Sequence, residues 1–141
     1  MKTGFLTLET HPDRNDLVRV RMREKMPELS TQGDGAAIRY VARFQDIEAA
    51  QMHVQNMMHS FLVDLEYRIY RKSLAEMIAC VEADELEHVR IWIDPTINEV
   101  ESRYIESLVE RHRSRHKLID LIWQMVGIAG LILLLSSGLN L

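Results

Sequence analysis

The chain carries a single cysteine, Cys80, among 141 residues. An internal disulfide is therefore excluded, and so is a zinc site built from several thiolates. Cys80 lies in an apolar helical stretch and reads as an inert core thiol rather than a reactive one. The N-terminal stretch MKTGFLTLETHPDRND has no apolar run long enough for a signal peptide, so the bulk of the chain is expected to stay in the compartment where it is made. With no disulfide framework, that compartment is most simply the cytoplasm. No nucleophile elbow, P-loop or dinucleotide fingerprint is present, and the one GDG, at 33–35, precedes an expected strand rather than a helix. Internal repeats and low-complexity tracts are also missing. Lys and Arg number 17 against 21 Asp and Glu, and the formal net charge of −4 argues against bulk nucleic-acid binding.

Charge is missing from one end altogether. After Lys117 only Asp120 is charged, and Leu121 to Leu141 reads LIWQMVGIAGLILLLSSGLNL. A bilayer-spanning helix needs roughly 20 predominantly apolar residues, and this stretch meets that length. Between Met125 and Leu135 there is no polar stripe, so the helix is apolar all round, which suits lipid better than the small core that a chain of this length can build. Immediately upstream lies ERHRSRHK, with Arg111, Arg113, Arg115 and Lys117 in seven residues. Basic residues beside a span stay on the cytoplasmic side and attract anionic headgroups. Trp123 falls where an interfacial anchor belongs. The expectation is a cytoplasmic domain at 1–110, a basic juxtamembrane segment at 111–118 and one transmembrane helix at 119–139. The architecture is then tail-anchored in the cytoplasmic (inner) membrane, with the N-terminus inside. Gly127 and Gly130 form a small-residue patch on which another helix could pack, though not in the Gly-x-x-x-Gly form.

The rest of the chain reads as a small α+β domain in the order β-β-β-α-α-β-α. Period-two alternation marks strands at Phe5–Thr10, Leu17–Arg23 and Ile38–Phe44. HPDRND joins the first two as a hairpin, and residues 24–35, with Pro27, Gly33 and Gly35, read as a loop. Asp46 is a good N-cap, and apolar residues follow at helical spacing from Ile47 through Phe61 and Leu65 to Ile69. Ser73 and Glu76 fit a capping box that starts a second helix, although one continuous helix stays open as a reading. Residues 88–94, HVRIWID, fit strand and helix patterns alike. Their β-branched alternation favours a strand. Asp94-Pro95-Thr96 should then open a last helix, with Thr96 and Glu99 as its capping box. No breaker follows before Gly127.

Three groupings are candidates for chemistry. Glu85 and His88 have the Glu-x-x-His spacing of di-iron carboxylate helices, but the chain holds only one such pair. Met52, His53, Met57, Met58 and His59 share a helix, where methionines at helical spacing read as packing rather than soft-metal ligands. Arg19, Arg21, Arg23, Lys25, Arg39 and Arg43 can form one basic sheet face, suited to an acidic protein surface, lipid headgroups or, less well, a phosphate-bearing ligand. That face lacks the aromatic platform of an RNA-binding sheet. No cofactor is implied. The expected role is a non-enzymatic accessory or scaffolding subunit, docking its cytoplasmic domain on a larger membrane complex or on further copies of itself. The alternatives are a membrane-bound di-iron enzyme using Glu85 and His88, and a regulatory tether that recruits a soluble partner.

Overall fold

In the computed structural model, which describes residues 1–29 and 35–138, the chain forms a six-stranded antiparallel sheet with three helices packed on one face. The strands are β1 (Gly4–His11), β2 (Arg14–Arg23), β3 (Ala37–Phe44), β4 (Leu62–Asp64), β5 (Ile69–Arg71) and β6 (His88–Ile93). Their spatial order is β4-β5-β2-β1-β3-β6. The helices are α1 (Ile47–Met58), α2 (Leu74–Glu82) and α3 (Glu99–Gly138). This is the α+β class expected from the pattern, with one hairpin added.

Alternation decides which side chains enter the core. Leu6 and Leu8 of β1, Val18 and Val20 of β2, and Tyr40, Ala42 and Phe44 of β3 point to the helical face and are buried. Helix α2 is the centre of the core, since Met77, Ile78, Ala79, Cys80 and Val81 are all buried. Helix α1 contributes Ile47, Ala50, Val54 and Met58, and α3 contributes Ile105, Leu108 and Val109. Gly4 sits where a Cβ would lie 2.9 Å from the Arg23 carbonyl oxygen and 3.0 Å from Ile47, so a side chain there would push α1 off the sheet.

The capping chemistry appears where it is needed. Asp46 Oδ1 accepts a hydrogen bond from Ala49 N (3.2 Å). Ser73 Oγ accepts from Glu76 N, while Glu76 Oε2 accepts from Ser73 N, both at 3.3 Å. Helix α3 starts later than expected. Asp94 instead closes a turn through its bond from Thr96 N (2.8 Å), and the capping box is Asn98 with Glu101 rather than Thr96 with Glu99.

The larger difference lies after Met58. The helical stripe does not continue to Leu65 and Ile69. The chain makes one 3-10 turn, His59–Phe61, and then the hairpin β4–β5. Asp64 Oδ1 accepts from Tyr67 N (3.0 Å), and Arg68 takes the left-handed φ of +52°, which together turn the chain back. The cause is tertiary. β2 has an open edge that β5 fills by pairing Leu17 with Arg71, Val18 with Tyr70 and Arg19 with Ile69. Tyr70 is thereby carried into the core, 2% exposed, while Leu65 is left on the turn, outside the core. Residues 88–93 are a strand, as the alternation favoured. In the loop read at 24–35, Pro27 is buried, and residues 30–34 lie outside the described residues.

Helix α3 runs unbroken across the expected boundaries at 110 and 118 to Gly138, and residue 139 lies outside the described residues. At 1.5 Å per residue its 40 residues extend about 60 Å. Its first half packs against α2. From Leu118 onward every described side chain is exposed, and the segment is long and apolar enough to cross a membrane.

Candidate functional site

The sheet face turned away from the helices gathers most of the arginines singled out from the sequence. Register places Glu9 of β1 opposite Arg19 of β2, Thr7 opposite Arg21, and Phe5 opposite Arg23. Glu9 is 1% exposed. Its Oε2 lies 3.0 Å from Arg19 Nε and 3.9 Å from Arg21 Nε, and its Oε1 accepts from Arg23 Nη2 at 3.0 Å. The Thr7 hydroxyl adds a longer bond to Oε1, 3.4 Å. Three guanidinium groups thus converge on one carboxylate. The same arginines line a cavity of about 300 Å³ at the β2 edge, together with Glu66, Tyr67 and Arg68. Charge-assisted bonds from guanidinium groups are the strong kind, and this arrangement suits a carboxylate- or phosphate-bearing surface.

The remaining arginines of the face are separate. Arg39 is held by Asp94 (2.5 Å), Thr10 Oγ1 (3.3 Å) and Thr96 Oγ1 (3.1 Å), and so ties β3 to the chain after β6. Burial raises the Asp94 pKa, but hydrogen bonds from Thr96 and the Arg39 charge outweigh it and hold the carboxyl below its ordinary value. Arg43 stands exposed, opposite Phe5 on one side and Val89 on the other. Lys25, in the loop after β2, is exposed.

Glu85 and His88 do not share a helix. Glu85 lies in the turn after α2, and His88 opens β6, where its Nδ1 donates to Leu86 O (2.7 Å) and its ring stacks on Phe44 at 4.8 Å. The common helix face that made Glu-x-x-His suggestive is therefore not formed. Among the described residues no group of three His, Cys, Asp or Glu is arranged to hold a metal ion. Of the Met- and His-rich segment, Met58 packs in the core, Met57 touches Cys80 across α1 and α2 (sulfur to sulfur 3.9 Å), and Met52 is exposed. Burial pushes the Cys80 thiol up to about 12, helped by the Asp84 charge, which agrees with an inert core role.

The basic segment of α3 lies at the lower edge of the α2 packing. Arg113 Nη2 donates to the Glu82 carbonyl (3.2 Å), while Arg111, Arg115 and Lys117 are exposed. Burial, and then the neighbouring charges of His116, Arg115, Lys72 and Arg111, hold the His112 pKa below its ordinary value. Beyond Lys117, Gly127 and Gly130 have no atom within 4 Å of where a Cβ would stand, so that side of the helix is open.

A second cavity, of about 180 Å³, lies between α1, the turn after α2, and α3. It is lined by His53, Asn56, Met57, Asp84, Glu85 and His116. Sequence reading missed its central residue, Asp84, and also Glu9 and Arg68. Glu9 left a trace, because period two places it on the face opposite Leu6 and Leu8. Asp84 left none, because its side-chain partner His53 lies 31 positions earlier on another helix.

Compared with known proteins, the chain matches no family model, no curated protein and no solved structure. The class is set by the fold and site alone: an α+β domain continuous with a C-terminal helix long and apolar enough for a single membrane span.

Proposed function

We propose that this protein is a membrane-anchored accessory or scaffolding subunit, with no reaction of its own, that docks its α+β domain on a larger membrane complex. The observation that carries this reading is the continuity of α3. One end of that helix buries Ile105, Leu108 and Val109 in the domain core, and the other end buries nothing. Thirteen large apolar side chains between Leu118 and Leu135 are exposed. At about 1.5–3 kcal/mol for each such side chain fully buried, leaving them in water forgoes roughly 20 kcal/mol or more, beyond the whole stability of an ordinary domain. A bilayer is the environment that removes this cost. Arg111, Arg113, Arg115 and Lys117 then favour a cytoplasmic domain through the positive-inside bias.

Docking is supported by what the domain leaves open. Both sheet edges carry exposed apolar side chains, with Val63 and the adjoining Phe61, Leu65 and Tyr67 at β4, and Val89 and Ile91 at β6. Open edges of this kind are where further strands or partner surfaces pair.

Co-purification from native membranes in mild detergent tests the reading. The full chain is expected to resist carbonate extraction and to elute with a partner larger than itself. Gly127→Leu is expected to weaken that association without releasing the chain from the membrane. A monodisperse protein without partner, or one washed off by carbonate, would overturn it.

A further inference from the structure

Helix α3 enters the domain at one end and leaves it at the other. Glu101 and Ile105, in its first two turns, share a cavity wall with Thr10, Asn15 and Ser73, which are the end of β1, the start of β2 and the cap of α2. Further along, Arg113 donates to the carbonyl of Glu82, the last residue of α2, and His116 stands beside Ala83 and Glu85. The turn after α2 meets the sheet at the end of β3, where Gln45 N donates to Glu87 O (3.2 Å) and His88 pairs with Phe44. Phe44 pairs in turn with Gly4, and Phe5 with Arg23. The apolar half of α3 therefore runs out past the end of the domain where β1 starts and β2 and β3 finish.

The turn of the β4–β5 hairpin lies at that same end. Val20 N donates to Arg68 O (3.0 Å), and Glu66, Tyr67 and Arg68 line one cavity with Arg21 and Arg23. This turn holds two large side chains outward, Leu65 at 64% exposure and Tyr67 at 55%, and neither joins the core. Met26, three residues past the end of β2, is exposed beside them in the chain's path. The depth is set by α3. Arg113 and His116 precede Leu118, where the exposed apolar run begins, by about 8 and 3 Å of helix rise. A headgroup layer is about 5–8 Å thick on each side of the hydrocarbon, so with α3 as the span this end of the domain stands at headgroup level. Tyrosine, with an apolar ring and a polar tip, is enriched at that level. Asp64 and Glu66 limit the insertion, because charge is costly in the hydrocarbon itself.

We propose that the β4–β5 turn is a second membrane contact, with Leu65 and Tyr67 seated among the headgroups of the leaflet that α3 enters. The proposal rests on the reading of α3 as a membrane span. The occupant is lipid because the span carries this end of the domain to the bilayer, whatever else the domain binds. A domain held at two points is fixed against the leaflet and not free to swing about α3. The turn is then assigned to lipid, and Val63 and the β6 edge are left to a protein partner.

The test places a thiol-reactive fluorophore on the full-length chain in nanodiscs of phosphatidylcholine with a minor share of phosphatidylglycerol. Glu66→Cys carries the label between the two side chains in question. Asp13→Cys carries it at the opposite end, the eight residues of β1, or about 26 Å, further away. Leu131→Cys carries it in the span. Cys80 is buried and stays in place, and intact mass verifies a single label. Iodide in the water and a headgroup nitroxide lipid serve as quenchers. Iodide quenching at 66 is expected to be about tenfold weaker than at 13, which corresponds to a seated turn favoured over a free one by about 1.4 kcal/mol. The nitroxide lipid should quench at 66 and not at 13. Adding Leu65→Ser and Tyr67→Ser should return the label at 66 to iodide, which separates the effect of these residues from that of the label. Equal iodide quenching at 66 and 13, or protection that survives the two serines, overturns the proposal. Protection from iodide without quenching by the nitroxide lipid assigns the turn to a protein surface and overturns it too. A label at 131 left open to iodide refutes the membrane reading, and this proposal with it; one that is shielded at 131 while 66 stays open refutes this proposal alone.

Discussion

Replacing Glu9 by glutamine removes the one negative charge at the centre of the three-arginine group. The isosteric amide keeps the shape of the site, and one amide oxygen can still accept from a guanidinium group. What is lost is the charge that holds Arg19 and Arg23 at 3.0 Å and Arg21 at 3.9 Å. Breaking a fully buried ion pair by removing one partner costs about 3–5 kcal/mol. Here the carboxylate is fully buried but the arginines are 15–40% exposed and recover some hydration. The expected loss is therefore about 2–3 kcal/mol. For a domain of this size that lowers Tm by about 10 °C. The assay is thermal unfolding of the full chain in mild detergent, followed by far-UV circular dichroism. Arg21→Met serves as the internal comparison. Its contact is the longest and its side chain the most exposed of the three, so its expected cost is under about 1 kcal/mol. A loss below about 0.5 kcal/mol for Glu9→Gln, or an equal loss for Arg21→Met, would show that Glu9 does not organise this face.

Further outcomes are expected elsewhere. His112 has a folded pKa below its ordinary 6.5, chiefly through burial and then through His116 and the basic neighbours. The unfolded chain then binds a proton before the folded chain does, so stability is full above about pH 6.5 and falls as pH drops toward the folded pKa. His112→Gln should flatten that part of the stability–pH curve, and an unchanged curve would refute the assignment. Cys80, with its thiol pushed up to about 12, should resist alkylation at pH 8 in the folded protein and react at once in denaturant, as read by intact mass. Rapid labelling of the native chain would contradict its buried position. Tyr70→Ala should cost about 3–5 kcal/mol, as for other large core aromatics, and release β5 from β2, a change visible as lost amide protection in the β4–β5 hairpin.

Legibility from sequence followed the range of the forces involved. The first three strands were readable because alternation is local, and β1 to β3 each extend the expected runs by only one to three residues. The caps at Asp46 and Ser73 were readable because they need only a side chain and a backbone three positions on. The hairpin at 62–71 was not. Its residues keep helical spacing, and the choice of strand depends on the open edge of β2, some fifty residues away. The start of α3 slipped because Thr96–Glu99 and Asn98–Glu101 are both sound capping pairs, and the turn made by Asp94 selects the second.

The sequence by itself determined that the end of α3 is long and apolar enough to cross a membrane. Thirteen large apolar side chains between Leu118 and Leu135, with Asp120 the one charge among them and four basic residues before them, leave little of this to tertiary structure. Tertiary structure decided how the charges elsewhere are used. Arg19, Arg21 and Arg23 look free in sequence, and register alone sets them on Glu9. His53, Asp84 and His116 look unrelated, and only the packing of α1, α2 and α3 draws them around one cavity. Solvent transfer of a continuous apolar segment depends on composition, which the chain carries locally. Electrostatic pairing depends on distances of a few ångströms between residues far apart in sequence, and those exist only once the sheet and its helices have closed.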